Sequence, residues 1–303
     1  MILPAPLKYN DKAVIISPSG KIDDYLVHDA AAILESWGLT TEIGRFALGV
    51  AGRFSGSVYE RLYDIQSAFD DPSVKLILCS RGGYGVVHLI DILDFSSLRK
   101  HPKWVIGYSD ITALHAILQK NGIASVHGPM VKHFSEEGAE DVSVRYTKSI
   151  LAGQPPQYEI PTQGYRSLNL TGRAVGRLFG GNLSVFCGMI GSKYARIPDK
   201  GILFIEDIGE EPYKVDRMIH QLKLSGVLKK ISGLIVGQFT DFEEDDQMYA
   251  SLYESIRTVV ENYNFPVCFN FPVGHSRLNF PLIMGVRAEL IVDDDHILFK
   301  QSN

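Results

Sequence analysis

The chain has 303 residues, of which 45% are hydrophobic and 21% charged, an ordinary globular balance with length for one large domain or two smaller cores. A net charge of -5 with Lys and Arg spread along the chain leaves no basic footprint for nucleic acid and no polybasic patch for a membrane. The opening "MILPAPLKYNDK" is short, holds two prolines and lacks the charged start of a secretory signal, and no apolar run is long enough to span a bilayer. Cys79, Cys187 and Cys268 form no C-x-x-C pair, so neither a disulfide framework nor a zinc ribbon is expected, and a reducing cytoplasm suits the chain.

In chain order, "AVIISP" (13–18) reads as a strand and "DDYLVHDAAAILESWG" (23–38) as a helix closed by Gly38. "TTEIG" (40–44) is the next strand and "SVYERLYDIQSAFDD" (57–71) the next helix. "VKLILCS" (74–80), "KWVIGY" (103–108) and "ASVHGP" (124–129) follow as strands with helices between them. Short buried strands alternating with helices predict a mainly parallel α/β sheet covered on both faces. Prolines, glycines and polar residues then dominate, and the reading is an N-terminal α/β domain over 1–155, a linker over 156–170 and a smaller mixed α/β domain over 171–303. In that last part "GNLSVFCGMIG" reads as a helix, "GILFIEDIG" and "LIVGQFT" as strands, and "AELIVDDDHILFK" as a hairpin around an acidic turn.

Three glycine-bearing turns follow strands. "SPSG" (17–20) lacks both the dinucleotide spacing and the lysine of a phosphate loop. "SRGGYG" (80–85) lets the backbone approach something closely with N–H groups turned outward, or is simply a tight βα turn. "GGNLS" (180–184) reads as a structural cap with Asn182.

"WVIGYSDITALH" (104–115) is a strand that stops at a glycine and turns into a helix, with Ser109 at the corner. The bland account is a helix cap; the sharp one is a nucleophile, because ligands gather beyond the carboxyl ends of such strands. Ile111 replaces the second glycine of the G-x-S-x-G elbow, so "GYSDI" is a partial match. The Asp110 N–H is placed to hold an oxyanion, while its side chain need only favour the helix start.

An attacking serine needs a base, and the base an orienting group. Of nine histidines, His88 and His115 read as packing residues on helices, and His28, His101, His220 and His296 as surface or turn residues. His127 could line the same crevice. His275, in "FPVGHSRLN", sits after a glycine in a loop past a strand, where reactive side chains concentrate. Glu206 follows four apolar residues in "GILFIEDIGEEP", an unexpected place for a carboxylate unless it is partnered. It could pair with Arg217, be exposed at the strand end, or orient an imidazole; Asp207, Glu210 and Glu211 read as solvated loop acids.

Taken together, "ISPSG", "SVKLILCSRGGYG", "KWVIGYSDITALH", "HGPM", "GGNLS", "FIEDIGEEPYKVDRMIHQL" and "PVGHSRLNFPLIMG" resemble the LD-carboxypeptidase family, serine peptidases acting on muramoyl tetrapeptide. The match covers most of the chain, in order. The resemblance implies a triad of Ser109, Glu206 and His275, an oxyanion hole from the N–H groups of Gly83 and Asp110, a homodimer, and a site in a crevice between two domains. It implies neither metal nor other cofactor, and a murein tetrapeptide as substrate, cut between an L centre and a terminal D-alanine during peptidoglycan recycling. Arg81 and Arg277, with Gly82, flank these loops and are candidates for holding the substrate's terminal carboxylate, or else are structural. Where the family motif continues to a leucine-proline-leucine-glycine run, this chain reads "FPLIMG", which leaves the triad untouched and the shape of the neighbouring pocket unspecified by the resemblance.

Two rivals follow from the same residues. A peptidase resembling the microcin C immunity proteins would cleave a peptidyl-nucleotide and needs an aromatic platform, for which Trp37 and Trp104 are badly placed. A non-catalytic small-ligand-binding protein would need neither Ser109 nor His275 to be reactive.

Overall fold

The computed structural model describes residues 1–162 and 168–302, so 163–167, within the expected linker, and residue 303 lie outside the described residues. The chain divides into two compact units, Met1–Gln154 with Phe280–Ile283, and Pro155–Asn279 with Met284–Asn303.

The first unit alternates strands and helices: β1 (Lys12–Ile16), α1 (Asp24–Ser36), β2 (Thr40–Ile43), α2 (Val58–Asp70), β3 (Val74–Cys79), α3 (Ser96–Lys100), β4 (Trp104–Gly107), α4 (Thr112–Lys120), β5 (Ser125–His127), α5 (Val131–Glu137) and α6 (Val142–Leu151). The five strands lie in the order β2-β1-β3-β4-β5 and pair in parallel throughout. A sixth strand, Leu282–Met284, comes from far along the chain to lie beside β5. All four residues of β4 and all but one each of β1 and β3 are buried, which is what a sheet covered on both faces demands.

The helices pack by their apolar stripes. Leu26, Val27, Ala30, Ala31 and Leu34 form the buried face of α1, at the three- and four-residue spacing that keeps side chains on one side. On α2 the Ser57 hydroxyl accepts from the Glu60 N–H while the Glu60 carboxylate accepts from the Ser57 N–H, a closed capping box. The far end of α2 is closed by a side chain from another element. Lys103, fully buried, donates to the carbonyls of Ala68, Phe69 and Asp71 at 2.9, 2.9 and 2.6 Å. Burial pulls its pKa down to about 8. Lys103→Met should cost roughly 3 kcal/mol, because three carbonyls lose a charged donor that water cannot replace. Denaturant unfolding checks this: a midpoint within error of wild type would refute it.

Strand order turns the carboxyl ends of this sheet into a place for chemistry. Connections leave β1 and β3 in opposite directions, so the sheet reverses its winding between them, the position at which doubly wound sheets hold ligands. "SPSG" follows β1 and "SRGGYG" follows β3, on either side of that switch point.

The second unit contains β6 (Gln157–Pro161), β7 (Gly172–Asn182), α7 (Leu183–Met189), β8 (Gly201–Ile208), α8 (Pro212–Leu224), α9 (Val227–Lys230), β9 (Ile231–Thr240), α10 (Leu252–Val260) and β10 (Val267–Cys268). Past the strand Leu282–Met284 (β11) come β12 (Arg287–Val292) and β13 (His296–Gln301). Seven strands form a mixed sheet in the order β10-β9-β8-β7-β12-β13-β6. β7 through β10 pair in parallel, whereas β12, β13 and β6 add antiparallel strands. β12 and β13 are the hairpin expected around the acidic turn. β6 lies within the stretch expected to join two domains, because a proline-bounded polar segment can still serve as an edge strand.

β7 reads poorly as a strand because it holds four glycines, but two of them, Gly176 and Gly180, are needed where its backbone presses against β8 and the residue before it. A Cβ on Gly180, which has φ +116°, would lie 2.0 Å from the Phe204 carbonyl oxygen. Val215, Ile219 and Leu222 of α8 pack with Leu203 and Ile205 of β8 and Val236 of β9 in the apolar core of this unit.

Candidate active site

Ser109 stands where β4 gives way to a single 3-10 turn, Ser109–Ile111, that runs into α4. Its φ is +63°, in the left-handed region that costs a residue with a Cβ about 1 kcal/mol or more. A helix cap needs no such conformation, and Ser109 stands in neither cap position: Tyr108 precedes the 3-10 turn and Ile111 precedes α4. Gly107 opens the corner, since a Cβ there would meet the Ile111 side chain at 2.8 Å. The missing second glycine of the elbow is thereby explained. Ile111 is buried over Gly107, and the space is made on the strand side of the serine.

The corner is braced from within the unit. His115 on α4 is fully buried; its Nε2–H donates to the Gly107 carbonyl and its Nδ1 accepts from the Ser125 hydroxyl, both at 2.8 Å. A carbonyl can only accept, which fixes this tautomer, and burial lowers the ring's pKa to about 4. It is a hydrogen-bonded strut rather than the partly buried packing residue the sequence suggested. His127 is fully buried too, its ring 5.9 Å from that of Tyr108.

The turn after β3 lies directly against Ser109. A Cβ on Gly82 would come within 2.5 Å of the Ser109 Cβ and 2.6 Å of its Oγ, so only glycine fits. Gly83 follows with φ +114° and is exposed. No carbonyl among the described residues outside the helices takes the Gly83 N–H, and Asp110, second in its 3-10 turn, has an N–H with no partner inside that turn. Gly82→Ala should therefore leave the core intact but displace the serine, cutting turnover of the protein's substrate at least about a hundredfold. Steady-state kinetics on the folded variant checks this, and near-normal turnover would refute it.

Asp110 departs from expectation. The residue is 3% exposed and does more than favour the helix start: its Oδ2 accepts from the Ser19 hydroxyl at 2.6 Å and the Val86 N–H at 2.9 Å. "SPSG" thus has a structural use: Gly20 N–H also donates to the Gly82 carbonyl at 3.2 Å. Arg81 is exposed and donates to the Lys21 carbonyl at 3.2 Å.

Within the second unit, Glu206 is fully buried near the end of β8 and its Oε2 lies 2.7 Å from the Nδ1 of His275. Of the three readings open to it, pairing with the imidazole is the one found; Arg217 instead lies over the Tyr213 ring. His275 comes close because Gly274, with φ +132°, lets the loop cross Glu206: a Cβ there would meet the Glu206 Cβ at 3.0 Å. The loop is pinned by the Gly274 N–H to the Asn279 side chain at 3.1 Å and by the Thr240 hydroxyl to the His275 carbonyl at 3.2 Å. Burial opposes a charged ring, but the Glu206 carboxylate, by charge and hydrogen bond, with Asp207 and Asp241 behind it, outweighs this and raises the His275 pKa. Arg277 is exposed on the same loop.

Asp207 is a second correction. It is buried, not a solvated loop acid, and accepts from the Asn182 amide at 2.7 Å and the Ser184 N–H at 2.8 Å. Burial, and then the neighbouring Glu206 charge, push its pKa up to about 6. Asn182 of "GGNLS" caps α7 through the Val185 N–H as expected, and it also ties that cap to the acid beside Glu206. Strand alternation could have signalled this, since Glu206 and Asp207 occupy successive positions of a strand covered on both faces. Among the described residues no cluster of His, Cys, Asp and Glu is arranged to hold a metal ion.

Comparison with known proteins identifies the family. Residues 14–128 match the LD-carboxypeptidase N-terminal domain and residues 175–290 the LD-carboxypeptidase C-terminal domain. A Bacillus subtilis protein named "Probable murein peptide carboxypeptidase" is 35% identical over 95% of this chain and 91% of its own. The crystal structure of a muramoyltetrapeptide carboxypeptidase from Oxalobacter formigenes superimposes with a TM-score of 0.87 at 29% identity, covering 96% of this chain and 99% of that one. An MccF-like protein from Bacillus anthracis does so with a TM-score of 0.88 at 26% identity, covering all of both chains. The chain belongs to the LD-carboxypeptidase family of peptidases.

Proposed function

We propose that this protein is a serine-type LD-carboxypeptidase that removes the terminal D-alanine from murein tetrapeptide, with Ser109 as nucleophile, His275 as base and Glu206 as the group that orients it. The observation that carries the reading is the left-handed Ser109, held at the carboxyl end of a parallel strand against a turn that only glycine can make. A backbone strained in this way is retained where it aims a reactive group. The buried Glu206–His275 hydrogen bond supports it, because a carboxylate on Nδ1 leaves Nε2 unprotonated and able to take a proton.

In the proposed reaction Nε2 of His275 accepts the Ser109 proton as the oxygen attacks the carbonyl of the L centre. The oxyanion that forms is held by the N–H groups of Gly83 and Asp110, each donor worth about 3 kcal/mol at the transition state. Collapse breaks the C–N bond, His275 protonates the departing D-alanine amine, and water then attacks the acyl-serine by the same route to free the tripeptide and Ser109. Arg81 and Arg277 are proposed to hold the terminal carboxylate, as guanidinium groups do bidentately. No step calls for a cofactor.

On this reading the protein acts on a recycled cell-wall fragment in the cytoplasm, and the family resemblance implies that it does so as a homodimer. No helix among the described residues is long and apolar enough to cross a membrane, and all three cysteines are free and buried. Incubation with murein tetrapeptide should release D-alanine and leave an intact tripeptide by mass spectrometry, and a fluorophosphonate should modify Ser109. Release of no D-alanine, with Ser109 unlabelled, would overturn the proposal in favour of a ligand-binding role.

The resemblance to the microcin C immunity proteins keeps a peptidyl-nucleotide substrate as the second reading, and the likeness to an MccF-like structure supports it. Trp104 is buried with its indole N–H on the Ala5 carbonyl, and Trp37 packs against Phe134, so neither offers a platform for a base. Tyr84, next to Gly83 and 47% exposed, is the aromatic residue at the glycine turn. Faster hydrolysis of an aminoacyl-nucleotide analogue than of tetrapeptide would favour that substrate.

A further inference from the structure

We infer that the Asp110 side chain is the positioning residue of the oxyanion hole, clamping the loops after β1, β3 and β4 into one rigid block; this rests on the reading of Ser109 as nucleophile. The strand order puts β4, β3 and β1 side by side, so the ends of β4 and β1 stand about 10 Å apart with β3 between them. Three loops leave these ends; the first two share the main-chain bond from the Gly20 N–H to the Gly82 carbonyl, and among the described residues no main-chain bond outside the helices and strands joins the loop after β4 to either.

The Asp110 carboxylate links all three. It belongs to the loop after β4. One of its oxygens accepts from the Val86 N–H, at the close of the glycine turn after β3, and from the Ser19 hydroxyl, in the loop after β1. The residue whose main chain would supply one oxyanion donor therefore grips, by its side chain, the turn that would supply the other, three residues from Gly83.

Arg61 on α2 repeats the linkage with opposite charge. Its Nη1 donates to the Pro18 carbonyl at 2.8 Å and the Gly85 carbonyl at 2.9 Å, joining the β1 and β3 loops once more. The guanidinium lies 5.0 Å from the centre of the Phe54 ring and is buried. Gly85 has to be glycine for this, as a Cβ there would come within 2.5 Å of that nitrogen. Burial raises the pKa of Asp110, while Ser19, Val86 and the charge of Arg61 oppose it. A carboxylate kept out of water at this cost, on the residue following the serine, is not serving as a helix cap: it accepts from Ser19 and Val86, neither of which belongs to α4.

A clamp of this kind has a kinetic signature that a merely structural acid lacks. Oxyanion donors act when charge develops, so loosening them lowers kcat and spares KM. Asp110→Asn keeps the shape but exchanges a charged acceptor for a neutral one, and Ser19→Ala removes one tie. In the full-length protein Asp110→Asn should lower kcat on tetrapeptide at least about thirtyfold with KM within about twofold, and should slow fluorophosphonate labelling of Ser109 in parallel. Ser19→Ala should show the same split at roughly three- to tenfold, and it decides the matter if Asp110→Asn does not fold. A folded Asp110→Asn protein, or failing that Ser19→Ala, with kcat and labelling rate within twofold of wild type overturns the clamp. If wild type releases no D-alanine, the substrate assignment falls instead, and the labelling rates alone then decide for or against the clamp.

Discussion

Replacing Ser109 by alanine should lower D-alanine release from murein tetrapeptide about a millionfold, to the background that a binding site without a nucleophile sustains. The fold should survive, because the hydroxyl makes no hydrogen bond on which the described residues depend and alanine keeps the Cβ that packs on Gly82. The strain survives as well, since alanine at φ +63° is no more comfortable than serine. Ser109→Gly supplies the contrast. It should be equally inactive but more stable than Ser109→Ala by about 1 kcal/mol, because glycine populates the left-handed region freely. Product release by mass spectrometry and thermal unfolding of the two variants test both halves. A folded Ser109→Ala protein with near-normal turnover would remove the nucleophile from the scheme, whatever the strain result.

Glu206→Gln should cost about 10³- to 10⁴-fold in kcat/KM, and for a different reason. An amide can present an N–H to Nδ1, which moves the ring proton to Nε2, the nitrogen that must accept. The substitution also has a pH signature whose sign follows from the charge. As a base, His275 works only when neutral, so activity is lost as pH falls through its pKa. Glu206 raises that pKa above the ordinary value of about 6.5, so the acid limb of wild type should lie above 6.5. Removing the carboxylate's charge leaves burial, which favours the neutral ring, opposed only by the smaller contributions of Asp207 and Asp241, so the acid limb of Glu206→Gln should move to lower pH even as the plateau collapses. Profiles of kcat/KM against pH for the two proteins decide it. An unshifted limb would mean that the observed titration belongs to another group.

Much of this arrangement can be read from the sequence, for identifiable reasons. β1, β3 and β4 are continuous apolar runs bounded by turns, which is the signature of strands buried on both faces, and α1 and α2 carry clean stripes. Ser109, Gly82 and His275 stand out because glycines and abrupt ends of apolar runs mark places where the backbone does something unusual. β7 and β6 escape notice because their reasons are not local: Gly176 and Gly180 of β7 answer to the backbone at and just before β8, and β6 is specified by its partner β13. The same holds for the buried acids. Asp110 and Asp207 look like ordinary loop residues until Ser19, Val86, Asn182 and Ser184, far off in the sequence, are seen to donate to them. Burial of a polar group depends on its distant partners, and a window of neighbours does not contain them.

The returning strand β11 makes the first unit a discontinuous object. Its sheet borrows an edge from residues some 130 positions beyond the end of its last helix, so a fragment ending near residue 154 would expose the flank of β5 as an unpaired template for other chains. Dissection of this protein by a single cut should give sticky, incomplete material, and a nascent chain must wait until almost its whole length has been made before that sheet can close.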